Sequence, residues 1–543
     1  MKNILNKKSF VAALALGTLG LTGCIEETLP LGSGITSSQV EGSSKGMAAL
    51  LNGPSAILTD VYTTSTQHYD WGYGSLMHVR DVMTADMAIA NSTYNHYSAW
   101  ASNEAQDERY QITAFPFMYY YKAIQTANEI LRPINLEQAT DEEKGYYAVG
   151  SAWRALFYLD AARMYEFLPN DKTSNITPEG NDLTHLTIPI VTEKTTEEQA
   201  RNNPRATRDQ MFEFILNDLD VAENNISFLP EELENPSTPD LAVIYGLKAR
   251  LYQWVENYPK AEEFARKAIN YSDRNGDAIY TPMTREQCLN TATGFNTIVD
   301  SWMLSTQQVA ETDAVNTSIL CWTSWMCNET TYGYAAAGPR VMISSNLYGK
   351  IADDDFRKLL FKAPEGSDLA GTEPTVLPAL YNRLPAYASL KFRPGNGSYS
   401  DSKTGNMTAI PLMRIEEMYF IEAEAVAHSS ANRGKTLLED FMKTYRSENY
   451  TCRYRSQEEI IAEIIAQKSI EFFGEGQSFF DIKRLNYSVD RTLSSNVTGK
   501  EKFKTNGRPA WMNFCLMYSE RINNKGLQGF QNPDPSGLYE AEE

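Results

Sequence analysis

Basic residues are in deficit: 49 Lys and Arg against 69 Asp and Glu leave a formal charge of −20 over 543 residues. A chain of that sign repels phosphate backbones, which argues against a nucleic acid as partner. Cysteine is scarce. Besides Cys24 there are Cys288, Cys321, Cys327, Cys452 and Cys515, an odd number at irregular spacing, so no disulfide framework is implied. Cys321 and Cys327, in Cys-Trp-Thr-Ser-Trp-Met-Cys, either pair or stay as two free thiols. Histidine is scarcer still. His68, His78, His96, His185 and His428 form no His-Glu-x-x-His and no zinc spacing. A Gly-x-Ser-x-Gly elbow and a phosphate loop are also missing. Carboxylates are plentiful enough for a glycosidase pair, but nothing selects one. The runs Asp141-Glu142-Glu143 and Asp353-Asp354-Asp355 read as helix caps or solvated faces. A hydrolase is therefore the weaker class, and a binding protein the stronger.

Long apolar runs are missing too, and the one near the N-terminus is too short to span a bilayer. Lys2, Lys7 and Lys8 precede Phe10 to Leu16, and Leu21-Thr22-Gly23-Cys24 follows. A basic start, a short apolar stretch and small residues read as a secretory signal over residues 1–23. Leu-x-Gly-Cys is a lipobox. It makes Cys24 the residue that takes a thioether-linked lipid and becomes the first of the mature chain. Such an anchor holds a protein to a membrane without spanning it. Residues 24–45 begin Cys-Ile-Glu-Glu and continue rich in Gly, Ser and Thr, the composition of a flexible tether.

What the sequence does have is aromatic side chains, 31 Tyr and 8 Trp, and helical periodicity. Apolar spacing predicts helices over Phe115 to Leu131, Asp141 to Phe167 and from the Thr207 cap to Asn224. Leu241 to Val255 and Lys260 to Ile269 read as a pair meeting at a Tyr-Pro turn. Small residues such as Ala249, Ala261, Ala265 and Ala268 allow close approach, the pattern of a tetratricopeptide unit. Met413 to Ala427 with Gly434 to Tyr445 reads as a second pair, and Gln457 to Phe473 as a further helix. Periodicity fails between about 270 and 410, where Gly, Pro, Asn, Ser and aromatic residues dominate, and residues 68–106 have similar character. Loops on a rigid scaffold are where binding sites usually sit.

Several blocks carry a family resemblance: the lipobox start, Arg154-Ala-Leu-Phe-Tyr-Leu, Gly246-Leu-Lys-Ala-Arg-Leu-Tyr, Met413-Arg-Ile-Glu-Glu-Met-Tyr-Phe-Ile-Glu-Ala-Glu-Ala, and Ile470-Glu-Phe-Phe-Gly-Glu-Gly-Gln-Ser-Phe-Phe-Asp-Ile-Lys-Arg. In this order and over nearly the whole mature chain, they resemble the SusD/RagB family of outer-membrane nutrient-binding lipoproteins. Gln467-Lys468 stands where the family often has Glu-Arg, and Ser478 where it has Arg; these positions read as packing and buried polar pairing.

The resemblance implies a mainly α fold: a single SusD-like domain over 46–543, with a tetratricopeptide-like helical scaffold, a loop-rich ligand-binding insert at about 270–410 and a motif region at about 411–543. It implies a non-enzymatic, lipid-anchored protein on the outer-membrane exterior. That protein captures an oligosaccharide or polysaccharide, or in some members a peptide, for a SusC-like TonB-dependent transporter. No cofactor is expected; calcium occurs in the family, but no EF-hand pattern is present here. In the family's starch-binding prototype the ligand lies along an aromatic arc helped by Arg and Asn. Trp100 with Asn103 reproduces its first spacing, Arg80 lies upstream, Trp322 or Trp325 is the distant ring, and Tyr332 or Phe295 the third. Sugar rings stack on exposed aromatic faces while polar groups meet their hydroxyls.

Overall fold

A computed structural model describes residues 44–272 and 275–542. Cys24 and the tether up to residue 43 lie outside them. Residues 48–543 form one contact-dense unit.

Several of the helices start at a polar cap. The main helices run as α1 (Tyr73–Val82), α2 (Gln111–Leu131), α3 (Asp141–Tyr165), α4 (Arg208–Asn225), α5 (Leu241–Trp254), α6 (Tyr258–Ile269), α7 (Ile415–Ser429), α8 (Ala431–Tyr445), α9 (Gln457–Glu471) and α10 (Ser478–Leu485). Capping boxes at Thr140, Thr207 and Ser456 fix the starts of α3, α4 and α9: each hydroxyl accepts from the backbone N–H three residues on. Asp141, Glu142 and Glu143 occupy the first turn of α3, as the acidic run led us to expect. Asp355 caps a short 3-10 turn through the Arg357 N–H.

Each long helix packs on the next: α2 on α3, α3 on α4, α4 on α5, α5 on α6, α6 on α7, and α7 on both α8 and α9. Small residues set the spacing. Ala249, Ala261, Ala265 and Ala268 are fully buried. A Cβ on Gly434 would sit 2.5 Å from Ala427 Cβ, so α8 approaches α7 more closely than any larger residue allows. Phe420, Leu438, Phe441, Met442, Ile460 and Ile464 fill the space between α7, α8 and α9.

Several boundaries differ from the sequence reading by a few residues, those of α2 and α7 most informatively. Helix α2 begins at Gln111, and its second turn contains Pro116. The proline removes one intrahelical hydrogen bond, and Phe115, Pro116 and Phe117 are all buried. Met413 belongs to a strand rather than to α7. This is β4 (Ala409–Arg414), which pairs antiparallel with β2 (Trp302–Gln307), while β1 (Met87–Ile89) pairs antiparallel with β3 (Val341–Ile343). The β1–β3 ribbon ties the irregular segment between α6 and α7 to the chain after α1, and the β2–β4 ribbon joins the two ends of that segment. Within it Cys321 and Cys327 are buried, free thiols, so they do not pair.

The recognisable blocks are buried electrostatic ties. Arg250 of α5 forks onto Glu417 of α7, with Nε 2.6 Å and Nη2 2.5 Å from its oxygens. Gln253 donates to Glu424 at 2.8 Å, and Arg484 pairs with the same carboxylate. Glu471 receives Arg446 at 2.7 Å and Arg414 at 3.1 Å. Glu475 receives Lys391 at 2.6 Å. The divergent positions do pair: Gln467 accepts from Arg357 at 2.6 Å, Lys468 meets Asp481 at 2.9 Å, and Ser478 bonds Ser469 at 3.0 Å. A paired, hydrogen-bonded charge is the form in which burial is tolerated.

Candidate functional site

Three loop segments converge around Trp325. The first precedes α1. Buried Asp70 pins it, its Oδ2 accepting from the Thr64 and Ser65 N–H groups at 2.7 Å each. His68 sits on this loop, and Tyr62, with φ 57°, is 43% exposed. The second is residues 90–97, held by Asn95 Oδ1 accepting from Tyr97 N–H at 3.1 Å. It carries His96 and Tyr94, the latter 54% exposed. The third is residues 322–338, two short helical turns. Gly333, at φ 81°, lets the second turn approach the first; a Cβ there would lie 2.8 Å from Ser324 Cα. Tyr334 N–H then donates to Ser324 Oγ at 2.9 Å. Pairing of β1 with β3, continued by Ala90 N–H to Arg340 O at 2.9 Å, runs the second and third loops side by side.

The rings of these loops form one cluster. Tyr334 stacks on Trp325 with centroids 4.1 Å apart and planes at 13°. His96 lies 5.3 Å from Tyr334, 6.0 Å from Trp325 and 5.0 Å from His68. His68 Nδ1 hydrogen-bonds the Tyr334 hydroxyl. His68 and His96 are half-buried. Burial, then the neighbouring His68, lowers the pKa of His96 and favours its neutral form. A neutral imidazole offers one donor and one acceptor, and its face is flat. The arrangement therefore presents ring faces and hydrogen-bonding edges together.

The residues expected from sequence lie mostly beneath this surface. Trp100 is 2% exposed, edge-on to Tyr69 at 5.0 Å. Trp322 is buried between Trp71 and Phe392. Trp325 is buried under Tyr334, and the indole N–H groups of Trp322 and Trp325 have no acceptor within the protein. Phe295 is buried against Lys391, whose Nζ is 4.6 Å from its ring centre. Asn103 is buried and ties the C-terminal segment, donating to Pro535 O at 2.7 Å. Arg80 is buried in α1, 3.2 Å from Asp160 and 3.1 Å from the Tyr120 hydroxyl. Tyr332 is half-buried and donates to Ser398 O at 3.3 Å. As folded, then, Arg80, Trp100, Asn103, Phe295, Trp322 and Trp325 offer no face to solvent. The physical reason is size and apolarity for the rings and ion pairing for Arg80. His68, His96 and Tyr334 were not singled out. The available signal was two of five histidines falling in a Ser/Asn/Tyr-rich stretch.

A cleft of about 920 Å³ lies elsewhere. It is lined by Pro259, Glu262, Arg266, Glu422 and Arg433 among others, on α6, α7 and α8. Among the described residues no group of three or more His, Cys, Asp or Glu could hold a metal ion. Nor is any described helix long and apolar enough to cross a membrane.

Comparison with known proteins follows the same outline. Residues 43–253 match a family described as starch-binding and associating with the outer membrane, and residues 385–525 match the SusD family. No curated protein matches the chain. Among solved structures, a SusD-like carbohydrate-binding protein from Bacteroides vulgatus is 21% identical, with TM-score 0.68 over 89% of this chain and 96% of that one. A SusD superfamily protein from Bacteroides thetaiotaomicron is 20% identical, with TM-score 0.65 over 92% and 100%. Surface glycan-binding protein A from Bacteroides uniformis is 13% identical, with TM-score 0.62 over 90% and 99%. With residues 43–253 and 385–525 both matched by models of this family, the chain belongs to the SusD/RagB family.

Proposed function

We propose that this protein captures a neutral glycan at the His68–His96–Tyr334 cluster and delivers it to a SusC-like TonB-dependent transporter, held at the outer-membrane surface by a lipid on Cys24. The observation that carries this reading is the cluster itself: half-buried His68 and His96 at ring-contact distance over the buried Tyr334–Trp325 stack, on three braced loops. Exposed Tyr62 and Tyr94 stand on the same two loops as His68 and His96. The buried tryptophans serve as the cluster's floor, fixing the loops rather than touching sugar. Trp325 is the member of the earlier arc that lies directly under the ligand surface. The matched family's starch-binding description and the carbohydrate-binding name of the Bacteroides vulgatus relative support the ligand class. The role is capture without chemistry, and the lipobox, the acidic residues after Cys24 and the tether support surface anchoring.

Native affinity electrophoresis through gels containing starch, fructan, xylan, mannan or pectin tests this. Retardation by a neutral polysaccharide is expected. Retardation by none of them, together with heat on mixing with a peptide digest, would replace the glycan reading with a peptide one.

A further inference from the structure

Two rings of the loop cluster carry nitrogens that the fold leaves unengaged. His68 Nδ1 is bonded to the Tyr334 hydroxyl. Among the described residues nothing hydrogen-bonds its Nε2, nor either nitrogen of His96. These nitrogens reach solvent, whereas those of His78, equally without partners, are sealed in the core. In the tautomer whose Nδ1–H donates to Tyr334, the lone pair of His68 sits on the solvent-reaching Nε2. The two imidazoles stand on different loops, one pinned by Asp70 and the other by Asn95. Their centroids are 5.0 Å apart with planes at 36°, neither stacked nor edge-on. Two imidazoles that share one tetrahedral ion, at metal–nitrogen distances of about 2.0–2.1 Å, have ring centres roughly 5 Å apart.

The donor type selects the ion. Calcium and magnesium take oxygen ligands, whereas imidazole nitrogen suits zinc, copper and nickel. Two protein donors are fewer than a catalytic zinc site has, so water fills the remaining positions. A metal-bound histidine usually gives its other ring nitrogen to an outer partner, which fixes the ring and its tautomer. The Tyr334 hydroxyl stands in that place for His68. We propose that His68 and His96 hold one divalent transition-metal ion between their solvent-reaching ring nitrogens, with Tyr334 as the positioning residue behind His68. Binding of the ion requires no glycan, so this site and the glycan reading can fail separately.

Cu²⁺ is the probe, titrated by calorimetry at neutral pH into the purified protein carrying no histidine tag. One tightly bound ion per chain is expected, with Zn²⁺ bound more weakly and Ca²⁺ not competing. The electron paramagnetic resonance spectrum of the copper complex should show coupling to the nitrogens of two imidazoles. His68→Ala and His96→Ala should each weaken Cu²⁺ by at least about tenfold. Tyr334→Phe, which keeps the ring over Trp325 and removes the hydroxyl, should weaken it by about tenfold. His185→Ala, at a histidine outside the cluster, should leave the affinity unchanged. Should an alanine variant not fold, the spectrum of the wild type still decides. Absence of a one-to-one complex, a spectrum without two-nitrogen coupling, unchanged affinity in either cluster variant, or an equal loss in His185→Ala would each overturn the proposal. Unchanged affinity in Tyr334→Phe would overturn the role given to the tyrosine.

Discussion

His96 and Tyr334, whose ring centres lie 5.3 Å apart, come from segments more than two hundred residues apart in sequence and meet above the buried indole of Trp325. The β1–β3 ribbon brings them together. Without it the two loops would have no common frame, and neither ring alone makes a surface large enough to hold a sugar.

Trp100→Ala is expected to act on the fold. Its ring is fully enclosed by Tyr69, Tyr97 and Phe115, and removing a buried Trp costs about 3–5 kcal/mol. Urea denaturation should show that loss. If stability held and glycan retardation vanished, Trp100 would touch ligand after all.

Gly333→Ala should weaken glycan binding at little cost to overall stability. It strains a φ of 81° and pushes a methyl towards Ser324, displacing Tyr334 from its stack. An affinity loss of roughly tenfold or more is expected, of the size seen when one stacked ring leaves a site. Titration calorimetry with the retarding glycan checks it, and an unchanged affinity would separate the Tyr334 stack from binding.

Acid should destabilise the protein before its carboxylates titrate. His78 is fully buried beside Tyr97, neither ring nitrogen has a partner, and burial pushes its pKa from 6.5 down to about 3. The unfolded chain therefore takes up a proton below pH 6.5 that the folded chain refuses. Stability is complete above that pH and falls with it, by about 1.4 kcal/mol per unit. His96, also lowered, adds in the same direction. Denaturation midpoints between pH 6.5 and 5 should show this slope, and His78→Phe should reduce it. An unchanged slope in His78→Phe would place the titrating group elsewhere.

Glu471→Gln should be among the most damaging single changes. Burial alone would raise this carboxyl, but Arg446, Arg414 and Arg357 hold it well below the usual range. Removing its charge leaves three buried guanidiniums short of a partner, a loss of about 3–5 kcal/mol. Thermal unfolding measures it. A change under about 1 kcal/mol would mean that the network tolerates the deficit.

Much of the scaffold was legible because its helices carry strong signals. Thr207 caps α4 through a capping box, and the alanines of α5 and α6 mark their contact. The strands were not legible. Residues Trp302 to Thr306 are all buried, so β2 has no alternation of polar and apolar residues, and Pro411 interrupts β4. The site was legible only as a region. Residues 68–106 read as irregular, yet Tyr73–Val82 within them form the buried helix α1, and only the flanking loops carry the cluster; large indoles drew the choice of residues, and large indoles are what a core buries first. A half-exposed histidine carries no periodic signature. Its position depends on Asp70, Asn95 and Gly333 shaping three loops, which spacing along one chain does not reveal.

The most direct test of the account is affinity electrophoresis of the double variant His68→Ala/His96→Ala beside the wild type, in the polysaccharide that retards the latter. Loss of retardation with an unchanged melting temperature is the predicted result. Retention of full retardation by the folded variant would contradict the assignment of the imidazole–tyrosine cluster as the glycan site.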